Sequence, residues 1–109
     1  MKKSPKILLE YILESIEELE EHVKKSTKAS FINDTKTQDA AMRRIEIIGE
    51  AARSLPSEFK RKNPKISWHE ISGMRNKLVH EYMDIDLDLV WEVIKKDIPK
   101  LKKKIEGMI

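Results

Sequence analysis

Apolar positions recur every three to four residues along almost the whole chain, and no stretch alternates in the way a half-buried strand would. Leu8, Ile12, Ile16, Leu19 and Val23 form one such stripe. Ser4 stands before them as a cap and Pro5 near the first helical position, so a first helix is expected to reach about residue 25. The segment SFINDTKT that follows carries turn and capping residues and reads as a loop. A second helix is expected from about residue 37 to 54, with Met42, Ile45, Ile48, Gly49, Ala52 and Leu55 on its inner face. Glycine costs helix stability, so Gly49 on that face implies close approach of a neighbouring helix. Pro56 ends this element, residues 57–61 suit a short helical turn, and Asn63-Pro64 is a break.

A third long helix is expected over residues 67–82. It opens on Ser67-Trp68-His69-Glu70, which has capping-box spacing. Asp84 and Asp86 then offer turn and cap chemistry before a last stripe of Leu87, Val90, Trp91, Ile94, Ile98, Leu101 and Ile105. Pro99 lies inside that stripe and should kink or interrupt the helix. The fold class is therefore all-α, an antiparallel bundle of four to five helices in a single domain over residues 1–109.

Two helical faces within residues 67–82 stand out. Trp68, Ile71, Met74, Leu78, Val79 and Tyr82 share one broad apolar sector on an ideal helix, and Arg75 falls in its middle. A guanidinium there needs either a carboxylate such as Glu46 or Glu50 or an aqueous cleft, because an unpaired buried charge costs several kcal/mol or more. On the opposite side His69, Gly73, Asn76 and His80 follow one another at i, i+4, i+7 and i+11, and none is Lys, Arg, Asp or Glu. Charged residues are 38% of the chain, so an ordinary solvent face would hold some. The uncharged face suits packing against a second copy of the chain, with His69 and Gly73 at or near a two-fold interface.

Composition removes several kinds of chemistry. There are no cysteines, so disulfides, thiolate metal sites and cysteine nucleophiles are out. His69 and His80 are separated by roughly 16 Å on an ideal helix, too far to share an ion within one chain, and no metal is expected. The three glycines, Gly49, Gly73 and Gly107, are isolated, so there is no phosphate loop. Net charge is +3, which permits a nucleic-acid partner without demanding one. Much of the excess lies in Lys95, Lys96, Lys100, Lys102, Lys103 and Lys104, where a lysine run ordinarily complements the helix dipole. Glu10, Glu14 and Glu17 interrupt the first apolar run, unlike a signal peptide, and no stretch approaches a membrane span. A cytoplasmic protein with no membrane partner is expected.

The stretch GMRNKLVHEY reads Arg75-x4-His80-x-Tyr82. It resembles the Arg-x4-His-x-Tyr motif of the HepT family within the HEPN superfamily. IGEAARSLP at 48–56, ISWHEISGMRN at 66–76 and DIDLDLVWEVIKKDIPKL at 84–101 resemble further segments of that family, in the same order. The resemblance implies a homodimeric RNase toxin that needs no metal or other cofactor. It further implies an antitoxin partner, a minimal nucleotidyltransferase that silences the toxin by transferring AMP to the motif tyrosine, here Tyr82. The residue chemistry agrees. RNA carries its own 2′-OH nucleophile, His80 can move a proton near neutral pH, and Arg75 can hold a phosphate. Asn76 can orient the imidazole or bind the same phosphate. The second class considered is a non-catalytic helical adaptor or substrate-binding subunit for a nucleotidyltransferase. A third is a plain nucleic-acid-binding module, which the position of the basic residues away from the motif disfavours. On an ideal helix Arg75 and His80 point roughly 140° apart. Helix distortion near the motif, a snorkelling Arg75, or residues contributed by different chains would each reconcile them.

Overall fold

The computed structural model describes residues 3–79 and 84–109, and over these the regular structure is helical apart from one isolated β-bridge. His80 and Tyr82 lie outside the described residues. Helix α1, Pro5–Val23, starts where expected, with Ser4 Oγ accepting from the Ile7 amide at 3.3 Å. Helix α3, Thr35–Ser54, runs antiparallel to it. Glu18 meets Arg44 at 2.8 Å near one end, while Leu8 and Tyr11 share a surface cavity with Ala51 and Leu55 near the other. Between the two helices Leu9, Ile12, Ile16, Leu19, Ala41, Ile45, Ile48 and Ala52 are buried. Aligned apolar stripes of this kind supply most of the stability of such a pair.

The linker expected to be a loop contains a short helix, α2, Lys28–Ile32. Thr27 and Ser30 cap each other's backbone amides at 3.1 and 2.9 Å, a reciprocal cap that stabilises even one turn. Phe31 on this turn is fully buried, with its ring 5.3 Å from that of Trp91. Asp34 then caps α3 and accepts from the Thr37 hydroxyl at 2.6 Å and its amide at 3.1 Å. Those bonds hold the Asp34 carboxyl below its ordinary range.

Helix α4, Ser57–Lys62, follows Pro56 and ends before the Asn63-Pro64 break. The expected third long helix comes in two pieces, α5, Trp68–Ser72, and α6, Met74–Leu78, joined at Gly73 with φ −94° and ψ 3°. Bonds from Gly73 N to His69 O and from Lys77 N to Gly73 O carry the helical path through the joint. Ser67 occupies the cap position but makes no side-chain cap bond. Its ψ is 78°, well short of the extended 153° and 169° at the working caps Ser4 and Thr27.

The helix also ends earlier than residue 82. Val79 is extended at φ −112° and ψ 122°, and it pairs with Ile85 in an isolated antiparallel bridge. The Asp86 amide donates to the Leu78 carbonyl oxygen at 3.0 Å. A β-branched residue favours that conformation, and the bridge supplies the hydrogen bond that a further helical turn would have made.

The last rod is α7, Leu87–Glu92, a π-helical turn over Val93–Asp97, and α8, Ile98–Glu106. The expected disruption at Pro99 takes the form of this π turn. Pro99 cannot donate to Lys95 and its ring would press on the carbonyl there. The wider turn relieves that contact, with the Ile98 amide reaching back to Val93 O. Lys102 ties α8 to α1 through Glu20 at 2.8 Å, and this partner raises the Lys102 pKa.

Candidate functional site

The α5–α6 rod packs on α3, and Gly49 is a point of tight approach. A Cβ built there would stand 3.3 Å from the carbonyl oxygens of both Ile71 and Ser72. The close approach expected from sequence is therefore present, and it is a contact with backbone. It also places α6 beside the charged residues of α3.

Arg75 Nε lies 3.5 Å from Glu46 Oε2, with both side chains 39% exposed. The carboxylate partner anticipated for Arg75 is there, but the pair sits at the surface, not in the core. Glu46 also accepts from Arg43 at 2.7 Å. A long, exposed and shared ion pair contributes roughly 0–1 kcal/mol, so it holds Arg75 loosely. The guanidinium opens onto a cavity of about 300 Å³ whose wall includes Gly49, Glu50, Arg53, Ser72 and Asn76. Glu46 belongs to the same wall, so the cavity's two guanidiniums, Arg75 and Arg53, face two carboxylates, and the polar lining suits a polar ligand better than a hydrophobic one.

A second cavity, of about 540 Å³, shares Arg53, Ser72 and Asn76 with the first and adds Lys60, Trp68, His69 and Gly73. His69, Gly73 and Asn76, three of the four residues singled out as an uncharged face, thus line one hollow. His69 and Asn76 are exposed and Gly73 is half-buried. His80, the fourth, lies outside the described residues. The ideal-helix offset between Arg75 and His80 no longer applies, because the backbone leaves the helix at Val79. A departure from the helix immediately before the motif histidine, one of the three ways considered, is thus seen at Val79.

Arg53 is the site residue that the sequence reading missed. Its guanidinium donates to Ser72 O at 3.0 Å and to Glu50 at 2.6 Å, and it borders both cavities. Two signals pointed to it. It follows Gly49 by four residues, which places it on the same face of α3, and it lies within the IGEAARSLP segment. Arg53 joins Arg75 in lining the smaller cavity, and Lys60 joins Arg53 in lining the larger one. Among the described residues no three His, Cys, Asp or Glu side chains gather as metal ligands, and none of the helices is long and apolar enough to cross a membrane.

A family model described as ribonuclease HepT-like matches residues 12–108. The chain is 52% identical over 105 residues to a Methanocaldococcus jannaschii protein named "Gamma-glutamylcyclotransferase and putative RNase", covering 96% of this chain and 47% of that one. It is 46% identical over 108 residues to the "Probable ribonuclease HepT" of Thermococcus cleftensis, covering 99% and 98% of the two chains. To a "Putative RNase" of Caldanaerobacter subterraneus subsp. tengcongensis it is 43% identical over 107 residues, covering 98% and 96%. The chain thus spans about half the length of the first relative and nearly all of the other two. No solved structure matches it. The family match over nearly the whole chain agrees with the Arg75-x4-His80-x-Tyr82 motif and the helical architecture, and the chain belongs to the ribonuclease HepT-like family.

Proposed function

We propose that the protein is an endoribonuclease that cleaves RNA without a metal ion, working as a homodimeric toxin under the control of a nucleotidyltransferase antitoxin. The observation that carries this reading is Arg75, a loosely paired arginine open to a polar cleft and set in the family's motif. In the reaction, His80 removes the proton from a ribose 2′-OH. The 2′ oxygen attacks the adjacent phosphorus and the bond to the 5′ oxygen of the next nucleotide breaks, leaving a 2′,3′-cyclic phosphate and a 5′-hydroxyl whose proton comes from water or from the protonated His80. Arg75 neutralises the negative charge that builds on the phosphoryl oxygens, and Asn76, in the same cleft wall, supplies a further donor. The test is cleavage of a fluorogenic RNA in EDTA. Turnover should persist in the chelator and disappear in His80→Ala. Dependence on added Mg²⁺, or full activity in His80→Ala, would sink the mechanism.

The dimer is supported by the uncharged face, which in one chain leaves His69 and Asn76 exposed around Gly73. Light scattering at tens of micromolar should give twice the monomer mass, and Gly73→Arg should halve it. A monomeric parent protein would count against the assembly.

Silencing is proposed at Tyr82, where transfer of AMP from ATP to the phenolic oxygen would release pyrophosphate. The resulting phosphodiester would compete with RNA for the Arg75 guanidinium. Tyr82→Phe should keep most RNase activity and stay unmodified. Intact-mass analysis after incubation with a cognate nucleotidyltransferase and ATP checks this; adenylylation found solely at Tyr11 would rule it out.

A further inference from the structure

A groove of about 760 Å³ lies between the 62–66 turn and the end of α8 and shares no lining residue with the Arg75 cleft. Five lysines line it. Lys62 and Lys65 come from one wall, and Lys100, Lys103 and Lys104 from the other. No Asp or Glu contributes to the lining. Lys104 is fixed by donating to Lys65 O at 2.9 Å, which staples the two walls together. Lys62 pairs with Glu58 at 3.2 Å. Among the described residues, Lys65, Lys100 and Lys103 have no ion-pair partner.

A lysine run on α8 alone would need no more than the helix dipole to explain it. The dipole does not explain why lysines from a separate turn converge on the same hollow. Like charges that face one another cost stability, and a bound polyanion would remove that cost. The floor is apolar, with Phe59, Ile66 and Met108 at its base. Basic walls over an apolar floor are the combination that single-stranded nucleic acid uses, with phosphates on the lysines and base faces on the floor. Helix α4 lies between the two regions: it sends Lys60 into the hollow that Arg53 and Asn76 share with the Arg75 cavity, and Lys62 into this groove.

We propose that this lysine groove binds a single-stranded RNA segment flanking the one held at Arg75. The choice of RNA over another polyanion rests on the proposed ribonuclease function; the groove's preference for a polyanion does not. The experiment is fluorescence anisotropy with a 2′-O-methyl oligonucleotide, which cannot be cleaved, so binding is read whether or not the protein is a nuclease. Lys65→Glu with Lys103→Glu should weaken binding at least tenfold. It should also lower the slope of log affinity against log salt by about one to two, as expected for two lost phosphate contacts on a single strand. Lys25→Glu with Lys36→Glu changes net charge equally outside the groove and should leave affinity within twofold. Lys65→Gln with Lys103→Gln, which avoids new carboxylates, should give a smaller loss in the same direction, and melting curves check that all variants fold. Equal weakening by both reversal pairs, or by neither, would overturn the groove. Poly-glutamate that displaces the RNA at matched charge would overturn RNA as the occupant. A protein that cleaves nothing yet binds through these lysines would overturn the ribonuclease and leave the groove standing.

Discussion

Arg75→Ala should lower RNA cleavage by about a hundred- to a thousandfold, the usual loss when one preorganised donor to a transition state is removed. The same substitution should leave the melting temperature nearly unchanged. These two outcomes separate the catalytic role from the structural one. In the sequence alone, Arg75 sits in the middle of an apolar sector, and a buried salt bridge there would make its loss strongly destabilising, by about 3–5 kcal/mol. The structure puts the side chain 39% exposed, 3.5 Å from a glutamate that another arginine already holds at 2.7 Å. Truncation therefore removes roughly 0–1 kcal/mol of ion-pair stability, and Glu46 keeps Arg43. Arg75→Lys should recover only part of the activity, because an ammonium lacks the planar fork that grips two phosphoryl oxygens. A variant that melts well below the parent, or one that cleaves at the parent's rate, would place Arg75 in the scaffold instead. Kinetics and melting measured on the same preparation distinguish the cases.

Much of the architecture was legible because it follows from period and punctuation. Leu8 to Val23 keep one stripe, Ser4-Pro5 starts it, and the helix runs as expected. Gly49 announced a close helix crossing and Pro99 a disturbed helix, each through a backbone property that holds in any context. Failures occurred where a long-range bond outweighed local pattern. Helix α2 exists because Thr27 and Ser30 cap each other and Phe31 finds Trp91, a partner sixty residues away in sequence. The third helix stops at Leu78 because Asp86 supplies the amide for its carbonyl and Ile85 pairs with Val79. A helical wheel drawn through residue 82 cannot contain that information, and it stops being a guide to geometry at Val79. Arg53 was missed for a related reason. On α3 it reads as one more surface arginine, and its place in the cleft depends on a carbonyl of α5 nineteen residues later.

That crossing sets up the second large effect. Gly49→Leu should destabilise the protein by about 1–3 kcal/mol, the typical cost of forcing extra atoms into a packed contact, and lower the melting temperature by on the order of 10 °C. A Cβ at this position already meets two carbonyl oxygens at 3.3 Å. Backbone cannot swing aside as the end of a flexible side chain can, so the remaining leucine atoms must push α5 away from α3. The displacement should also stretch the 3.0 Å bond from Arg53 to Ser72 O and move Arg75 relative to Glu46. Activity should therefore fall even at temperatures where the variant is fully folded. Gly49→Ala tests the same contact more gently. Alanine gains up to about 1 kcal/mol over glycine in a helix, and the tight approach to the two carbonyls opposes that gain, so its melting temperature should stay close to the parent's. Thermal melts of the three proteins under identical conditions provide the comparison. Gly49→Leu melting within a degree of the parent would mean that α5 does not press on Gly49, and the geometry that brings Arg53 and Arg75 to one cleft would have to be redrawn.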